Sequence, residues 1–318
     1  MSRKKSRALG PLPPRDGLGA SRVRVPTNMS VTAVTFVTEV INFQRYRHPD
    51  DDEEAILKRF AAGEVVLRNG TALTPESLLT EGTDVFFYRR PAPERPVPYE
   101  IETVFEDDDI LVVNKPPFLA TMPRAAHITE TATVRLRRAT GNEELAPAHR
   151  LDRMTSGLLL FTKRRELRGP YQELFARREV HKLYEAIAAY RQFDIPQRWE
   201  HHIHKDHGID EAMLLDEAPN SLTNLIAVEE VAPEPYAVYG VEGPLARYTL
   251  EPITGRTHQL RVQMKAAGIP ILGDPIYHTR VPFGEDNFDI PMRLTSTELS
   301  FNDPLTGRQR RFTTDGGT

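Results

Sequence analysis

The chain reads as an α+β protein, with a central mixed but mainly antiparallel sheet and flanking helices, behind a small N-terminal α/β appendage. Three observations predict this class. From Tyr99 onward, apolar β-branched runs such as Ile110-Leu111-Val112-Val113 and Leu158-Leu159-Leu160-Phe161 alternate with turn residues. The helical stretches between them are short and carry recognisable stops at Gly141 and Gly268. Pro91-Ala92-Pro93-Glu94-Arg95-Pro96-Val97-Pro98 excludes regular helix and separates that texture from what precedes it.

Taken in order, residues 1–30 form a basic arm rich in proline and glycine, either mobile or laid along a surface. Residues 31–92 form a small module. Within it, Asp51 to Ala62 has acids in its first turn, bases toward its end, and Ile56, Leu57 and Phe60 on one face, which predicts a helix. The strand Gly63 to Gly70 ends in an Asn-Gly turn, and Gly82 to Tyr88 is a second strand. Residues 99–318 form the main domain. Helices are expected over Thr129 to Thr140 with an arginine face, over Gly169 to Arg178 with proline at its first position, and over Thr257 to Ala267 with Thr257 as N-cap. Strands are expected at Lys182 to Ala189 and at Arg247 to Glu251.

Forty-one Lys and Arg against 45 Asp and Glu leave a net charge of −4, so the chain is no generic polyanion binder. Its positive charge is local. Seven bases (Arg3, Lys4, Lys5, Arg7, Arg15, Arg22 and Arg24) face one acid before residue 27, and nine face four between Arg150 and Lys182. The second cluster surrounds Asp152, which suits delivery of a polyanion to one carboxylate. Cysteine is absent, which removes disulfides, thiolate metal sites and a thiol nucleophile. No apolar stretch approaches the ~18 residues that span a bilayer. A cytoplasmic monomer is expected.

The chemistry concentrates in His149-Arg150-Leu151-Asp152-Arg153-Met154-Thr155-Ser156-Gly157, a turn directly before the buried run at 158–161. An aspartate between two arginines is usually a surface ion pair, but a carboxylate held ionised by a nearby arginine is also a nucleophile or a base. Two further stretches stand out, His181-Lys182-Leu183-Tyr184 and Gly255-Arg256-Thr257-His258-Gln259-Leu260-Arg261-Val262, with Asn114-Lys115-Pro116 before them and Gly273-Asp274 after. In order and spacing these motifs resemble the RluA-type branch of the pseudouridine synthases, over about residues 99 to 312. The helix and two strands of the N-terminal module resemble the second half of a small ribosomal-protein-type RNA-binding module, with an acidic start where that module has a basic first helix; a plain structural cap is the alternative.

The first resemblance implies the pseudouridine synthase fold with a catalytic cleft across its sheet, and isomerisation of uridine in structured ribosomal or transfer RNA, without metal or other cofactor. It implies that Asp152 is the catalytic aspartate, that Arg261 pairs with it, and that Tyr184 packs on the target base and can accept a proton. Arg150 matches the arginine that fills the space a flipped nucleotide leaves. Phosphate contacts are expected from Arg150, Arg153, Lys163, Arg164, Arg165, Arg177 and Arg178. Histidines 149 and 258 are expected to be structural. The His201-His202-Ile203-His204-Lys205-Asp206-His207 stretch, read as a polar loop, could ligate a metal, but the chemistry asks for none. Two features depart from the family: Gln263 stands where histidine is common, and residues 192–222 follow a different pattern. The alternative function is a catalytically idle RNA-binding or ribosome-assembly protein on the same fold; a nucleosidase would need a second carboxylate to activate water.

Overall fold

A computed structural model of the chain describes residues 10–282 and 284–315. The basic residues Arg3, Lys4, Lys5 and Arg7 lie outside them. Two compact units emerge, Met1–Pro96 with Met122–Glu144, and Val97–Thr121 with Leu145–Thr318.

The first unit contains β1 (Ser21–Arg24), β2 (Ser30–Thr32), α1 (Ala33–Asn42), α2 (Glu53–Ala61), β3 (Val65–Leu67), β4 (Leu78–Thr80), β5 (Asp84–Phe87) and α3 (Ala132–Thr140). Part of the expected arm is thus a strand, since β1 pairs antiparallel with β5. Helix α1 has no counterpart in the sequence reading, because its β-branched run also fits a strand. Thr32 caps it, accepting from Thr35 N, and Ala33, Phe36, Val37 and Ile41 bury one helical face. Asp52 caps α2 in the same way. The three arginines of α3 are occupied: Arg135 pairs with Glu130, Arg137 donates to Gly17 O at 3.2 Å, and Arg138 bridges Asp16 at 2.6 Å.

In the second unit the strands are β6 (Glu102–Glu106), β7 (Ile110–Lys115), β8 (Ala146–Pro147), β9 (Ser156–Thr162), β10 (His181–Ala189), β11 (Gln197–His204), β12 (Met213–Leu215), β13 (Ser221–Val231), β14 (Leu245–Pro252), β15 (Leu294–Asn302) and β16 (Gln309–Thr313). Helices α4 (Arg168–Ala176) and α5 (Gln259–Ala266) accompany them. Among the described residues these strands make one sheet, ordered β12-β11-β13-β14-β10-β15-β9-β7-β6, with β16 added to β15 and β8 to β9. Its pairings are antiparallel except the join of β9 to β15. Every residue of β9 is buried, as its unbroken apolar run requires. Leu158 and Leu160 pack with Ile110, Tyr171, Leu174 and Phe301, so α4 covers one face; each such side chain contributes about 1.5–3 kcal/mol.

Three local expectations are corrected. Thr257 is not the cap of α5: His258 precedes the helix in left-handed conformation, at φ +59°, without a side-chain cap bond. Pro170 is not the first residue of α4, which starts at Arg168 after a 3₁₀ turn at Arg165–Leu167. His201, His202 and His204 lie on β11 rather than in a loop, where alternation sends neighbours to opposite faces. Among the described residues no group of three or more histidines or acids is placed to hold a metal ion.

Candidate active site

Asp152 occupies the turn between β8 and β9, and the residues on both sides of it are pinned. Thr121 Oγ1 donates to Leu151 O at 2.8 Å and accepts from Leu151 N at 3.1 Å. Lys115 Nζ donates to Pro116 O, Leu119 O and Arg153 O, at 2.7, 2.8 and 3.3 Å. The Asp152 carbonyl itself accepts from Thr155 N at 3.1 Å. The main chain that carries the carboxylate is thereby fixed, while the carboxylate itself takes no part in these bonds. Lys115 ends β7 and is fully buried; burial pushes its ammonium down to about 7, against the pull of the Asp152 charge.

Opposite the turn, α5 delivers Arg261, 3% exposed. Its Nε and Nη2 fork onto Asp274 at 2.7 and 2.9 Å, and its Nη1 stands 3.6 Å from Asp152 Oδ2. Asp274 is fully buried and also accepts from Ile276 N and Tyr277 N at 2.9 and 3.0 Å. Burial works against its charge, yet Arg261 and those amides outweigh it and hold the carboxyl below its usual range. Asp152 is different: its side chain is 30% exposed and open to whatever enters. His258 Nε2 lies 3.9 Å from the same Asp152 oxygen, with Nδ1 3.0 Å from the Tyr277 hydroxyl. Burial pushes His258 down to about 4, against the Asp152 charge, so it is a neutral ring at pH 7.

Two glutamines, one turn apart on α5, rivet the helix to the sheet. Gln259 accepts from Thr254 Oγ1 at 2.7 Å and donates to Leu222 O at 3.0 Å. Gln263 is fully buried, accepts from Thr223 Oγ1 at 2.7 Å and donates to Trp199 O at 3.3 Å. Arg261 lies between them, so its reach toward Asp152 is set by both. Gln263 therefore gives the departure from the family pattern a structural task.

Tyr184 comes from β10, 9% exposed. Burial pushes its phenol up to about 12, the adjacent Ser296 hydroxyl acts the other way, and the Asp152 charge adds to the rise. His149 is a wedge: its Nε2 accepts from Leu160 N at 3.2 Å and its ring stacks on Phe175 at 4.3 Å. Burial, with the Lys182 charge adding to it, pushes His149 down to about 3.

The structure thus gathers Asp152, Tyr184 and Arg261. Arg150 is exposed two residues before Asp152. Arg153 instead turns away, forked by Asp286 at 2.9 and 2.7 Å. Lys163 and Arg164 follow β9, ~20 Å along the strand from the turn. Lys163 pairs with Glu106 at 2.7 Å and Arg164 with Asp109. Arg165 is exposed on the 3₁₀ turn, and Arg177 pairs with Glu173 at 2.9 Å. Arg178, exposed after α4 at φ +62°, makes no ion pair among the described residues. Lys115 and Asp274 carried no assigned role in the sequence reading. The signal for the first was a lysine ending a wholly apolar strand; for the second, an aspartate after glycine, two and three residues before the amides it caps.

A family model for RNA pseudouridylate synthase matches residues 109–266. The chain is 33% identical over 213 residues to a dual-specificity RNA pseudouridine synthase RluA of Vibrio vulnificus (strain CMCP6), covering 64% of this chain and 78% of that one. To the protein of the same name in Pasteurella multocida (strain Pm70) it is 34% identical over 217 residues, 66% and 90% of the two chains. A ribosomal large subunit pseudouridine synthase D of Neisseria meningitidis serogroup B is 27% identical over 282 residues, 83% and 72%. Among solved structures, human RNA pseudouridylate synthase domain containing 1 superposes with a TM-score of 0.52 at 26% identity, over 68% of this chain and 83% of that one. By these relatives the chain belongs to the RluA-type RNA pseudouridine synthases, isomerases that convert uridine to pseudouridine in RNA.

Proposed function

We propose that Asp152 is the carboxylate that acts at the glycosidic bond and that Tyr184 takes the hydrogen from ring carbon C5. Arg261, anchored by Asp274, stabilises the Asp152 charge, and Arg150 fills the gap left by the flipped uridine. One observation carries this reading. Arg261 spends its two-pronged contact on Asp274 and meets Asp152 at only 3.6 Å, so Asp152 is charge-balanced without being tied down. A carboxylate in that condition is free to move onto a sugar or a ring.

The C1′–N1 bond breaks, the C1′–C5 bond forms, a proton leaves C5 and another arrives at N1. No electrons remain to be placed and no water is consumed, so the reaction asks for neither redox cofactor nor metal. The substrate class is structured ribosomal or transfer RNA, as the names of the relatives suggest. The enzyme acts as a monomer in the cytoplasm, where those RNAs are found. Among the described residues no helix is long and apolar enough to cross a membrane.

The test is a pseudouridine map of cellular RNA from a strain lacking the gene, complemented with wild type or with Asp152→Ala. Sites that vanish and return only with wild type support the assignment. An alanine variant that restores them overturns the role of Asp152.

A further inference from the structure

Beside Tyr184 lies a hydroxyl that none of the roles above uses. Ser296 is fully buried in β15, and its Oγ has no hydrogen-bond partner. A buried hydroxyl left unpaired is a liability in a finished structure, and one next to a reacting group calls for an explanation.

Its placement is produced by a fault in the strand register. β10 and β15 pair in step at His181↔Ser300, Lys182↔Leu299 and Leu183↔Glu298, which would set Tyr184 opposite Thr297. A slip between Leu183 and Tyr184 sets it opposite Ser296 instead. Residues directly opposite in an antiparallel pair point to the same face, and bulges re-aim side chains in this way. From the other side, Ser296 pairs with Gly157 of β9, at the exit of the Asp152 turn. The approach is so close that a Cβ on Gly157, at φ +105°, would fall 2.3 Å from Ser296 O. Ser296 is therefore fixed between the strand leaving Asp152 and the strand carrying Tyr184. Across this pair the Ser296 hydroxyl is close enough to the phenol to oppose the rise that burial imposes on Tyr184.

We propose that Ser296 is a positioning residue for the isomerisation, whose hydroxyl donates a hydrogen bond to the Tyr184 oxygen when that oxygen is the phenolate that removes the C5 proton. The inference rests on the reading of Tyr184 as the base. In the step itself the C5–H bond breaks, the phenolate forms an O–H bond, and the C5–H electron pair restores the ring double bond. The phenol then returns its proton to solvent. Ser296 loses nothing; its hydrogen bond favours the charged form of Tyr184 and so raises the fraction of enzyme ready to act.

The experiment compares wild type, Ser296→Ala, Tyr184→Phe and the double variant by tritium release from [5-³H]uridine RNA, across pH, with melting curves as the folding control. Expected for Ser296→Ala is a rate at pH 7 about tenfold to a hundredfold lower, an unchanged KM, and a rising limb of the pH profile moved to higher pH. Added to Tyr184→Phe it should change nothing further, since it acts only through that oxygen. RNA carrying 5-fluorouridine at the target has no C5 hydrogen, so Ser296→Ala should process it up to the deprotonation step at the wild-type rate. A variant that slows both RNAs alike, or whose pH profile does not move, overturns the proposal and leaves Ser296 as packing. An active Tyr184→Phe enzyme overturns the base assignment, and Ser296 with it. An inactive Tyr184→Phe beside a fully active Ser296→Ala overturns Ser296 alone.

Discussion

Asp274 and Asp152 share Arg261 unequally: the buried partner holds it by two bonds at 2.7 and 2.9 Å, the half-buried one faces it at 3.6 Å. The two carboxylates should therefore separate under mutation. Asp274→Asn leaves a buried guanidinium without its counter-charge and should cost about 3–5 kcal/mol in chemical denaturation. Asp152→Asn should change stability by under ~1 kcal/mol and abolish isomerisation while RNA still binds. A larger stability loss from Asp152→Asn than from Asp274→Asn would contradict this division.

Acid should loosen the motif through His149. Burial pushes its folded pKa down to about 3, below the ~6.5 of an unfolded histidine, so between those values the unfolded chain binds the extra proton. Its contribution is then fully present above pH 6.5 and is lost as pH falls toward 3, at up to about 1.4 kcal/mol per pH unit. Protonation also removes the acceptor for Leu160 N. Denaturation midpoints of wild type and His149→Gln between pH 7 and 4 should converge, and parallel curves would refute the assignment.

RNA affinity should depend on which bases already have partners. Lys163 and Arg177 bridge Glu106 and Glu173, whereas Arg150 and Arg178 make no ion pair among the described residues. Alanine at Arg150 or Arg178 should weaken binding and lower the log K against log salt slope by roughly 0.7–0.9 each. Alanine at Lys163 or Arg177 should lower it by less than half of that in a filter-binding titration.

Gln263 offers a test of action through the helix. Gln263→Leu leaves the buried Thr223 hydroxyl without its acceptor and should cost about 1–3 kcal/mol. Because the fault lies under α5, kcat should fall about tenfold with RNA affinity retained. Asp274 contacts, read from a crystal structure of the variant, should persist while Arg261 withdraws from Asp152.

What the sequence disclosed divides along physical lines. The apolar runs of β7 and β9 announce a buried sheet because only burial on both faces tolerates them. The motifs that gather Asp152, Tyr184 and Arg261 were legible through their order. Helix α1 was not, because Val34, Val37, Val40 and Ile41 favour strands locally and become helical only through the Thr32 cap and a packed face. Partners distant in sequence stayed hidden as well. Nothing near Arg153 points to Asp286, 133 residues on, so a base expected to meet phosphate proves to be held by a carboxylate. Ser296 was hidden by a one-residue register slip, which no pattern of alternation reveals.

The parallel join of β9 to β15 brings Ser156 to within 2.8 Å of Thr295, 139 residues later in the chain. A ribosome therefore releases the aspartate turn long before the strand that closes the sheet beside it. Until residues 294–302 emerge, β9 keeps an open edge and Tyr184 is flanked by β14 alone, without the Ser296 strand on its other side.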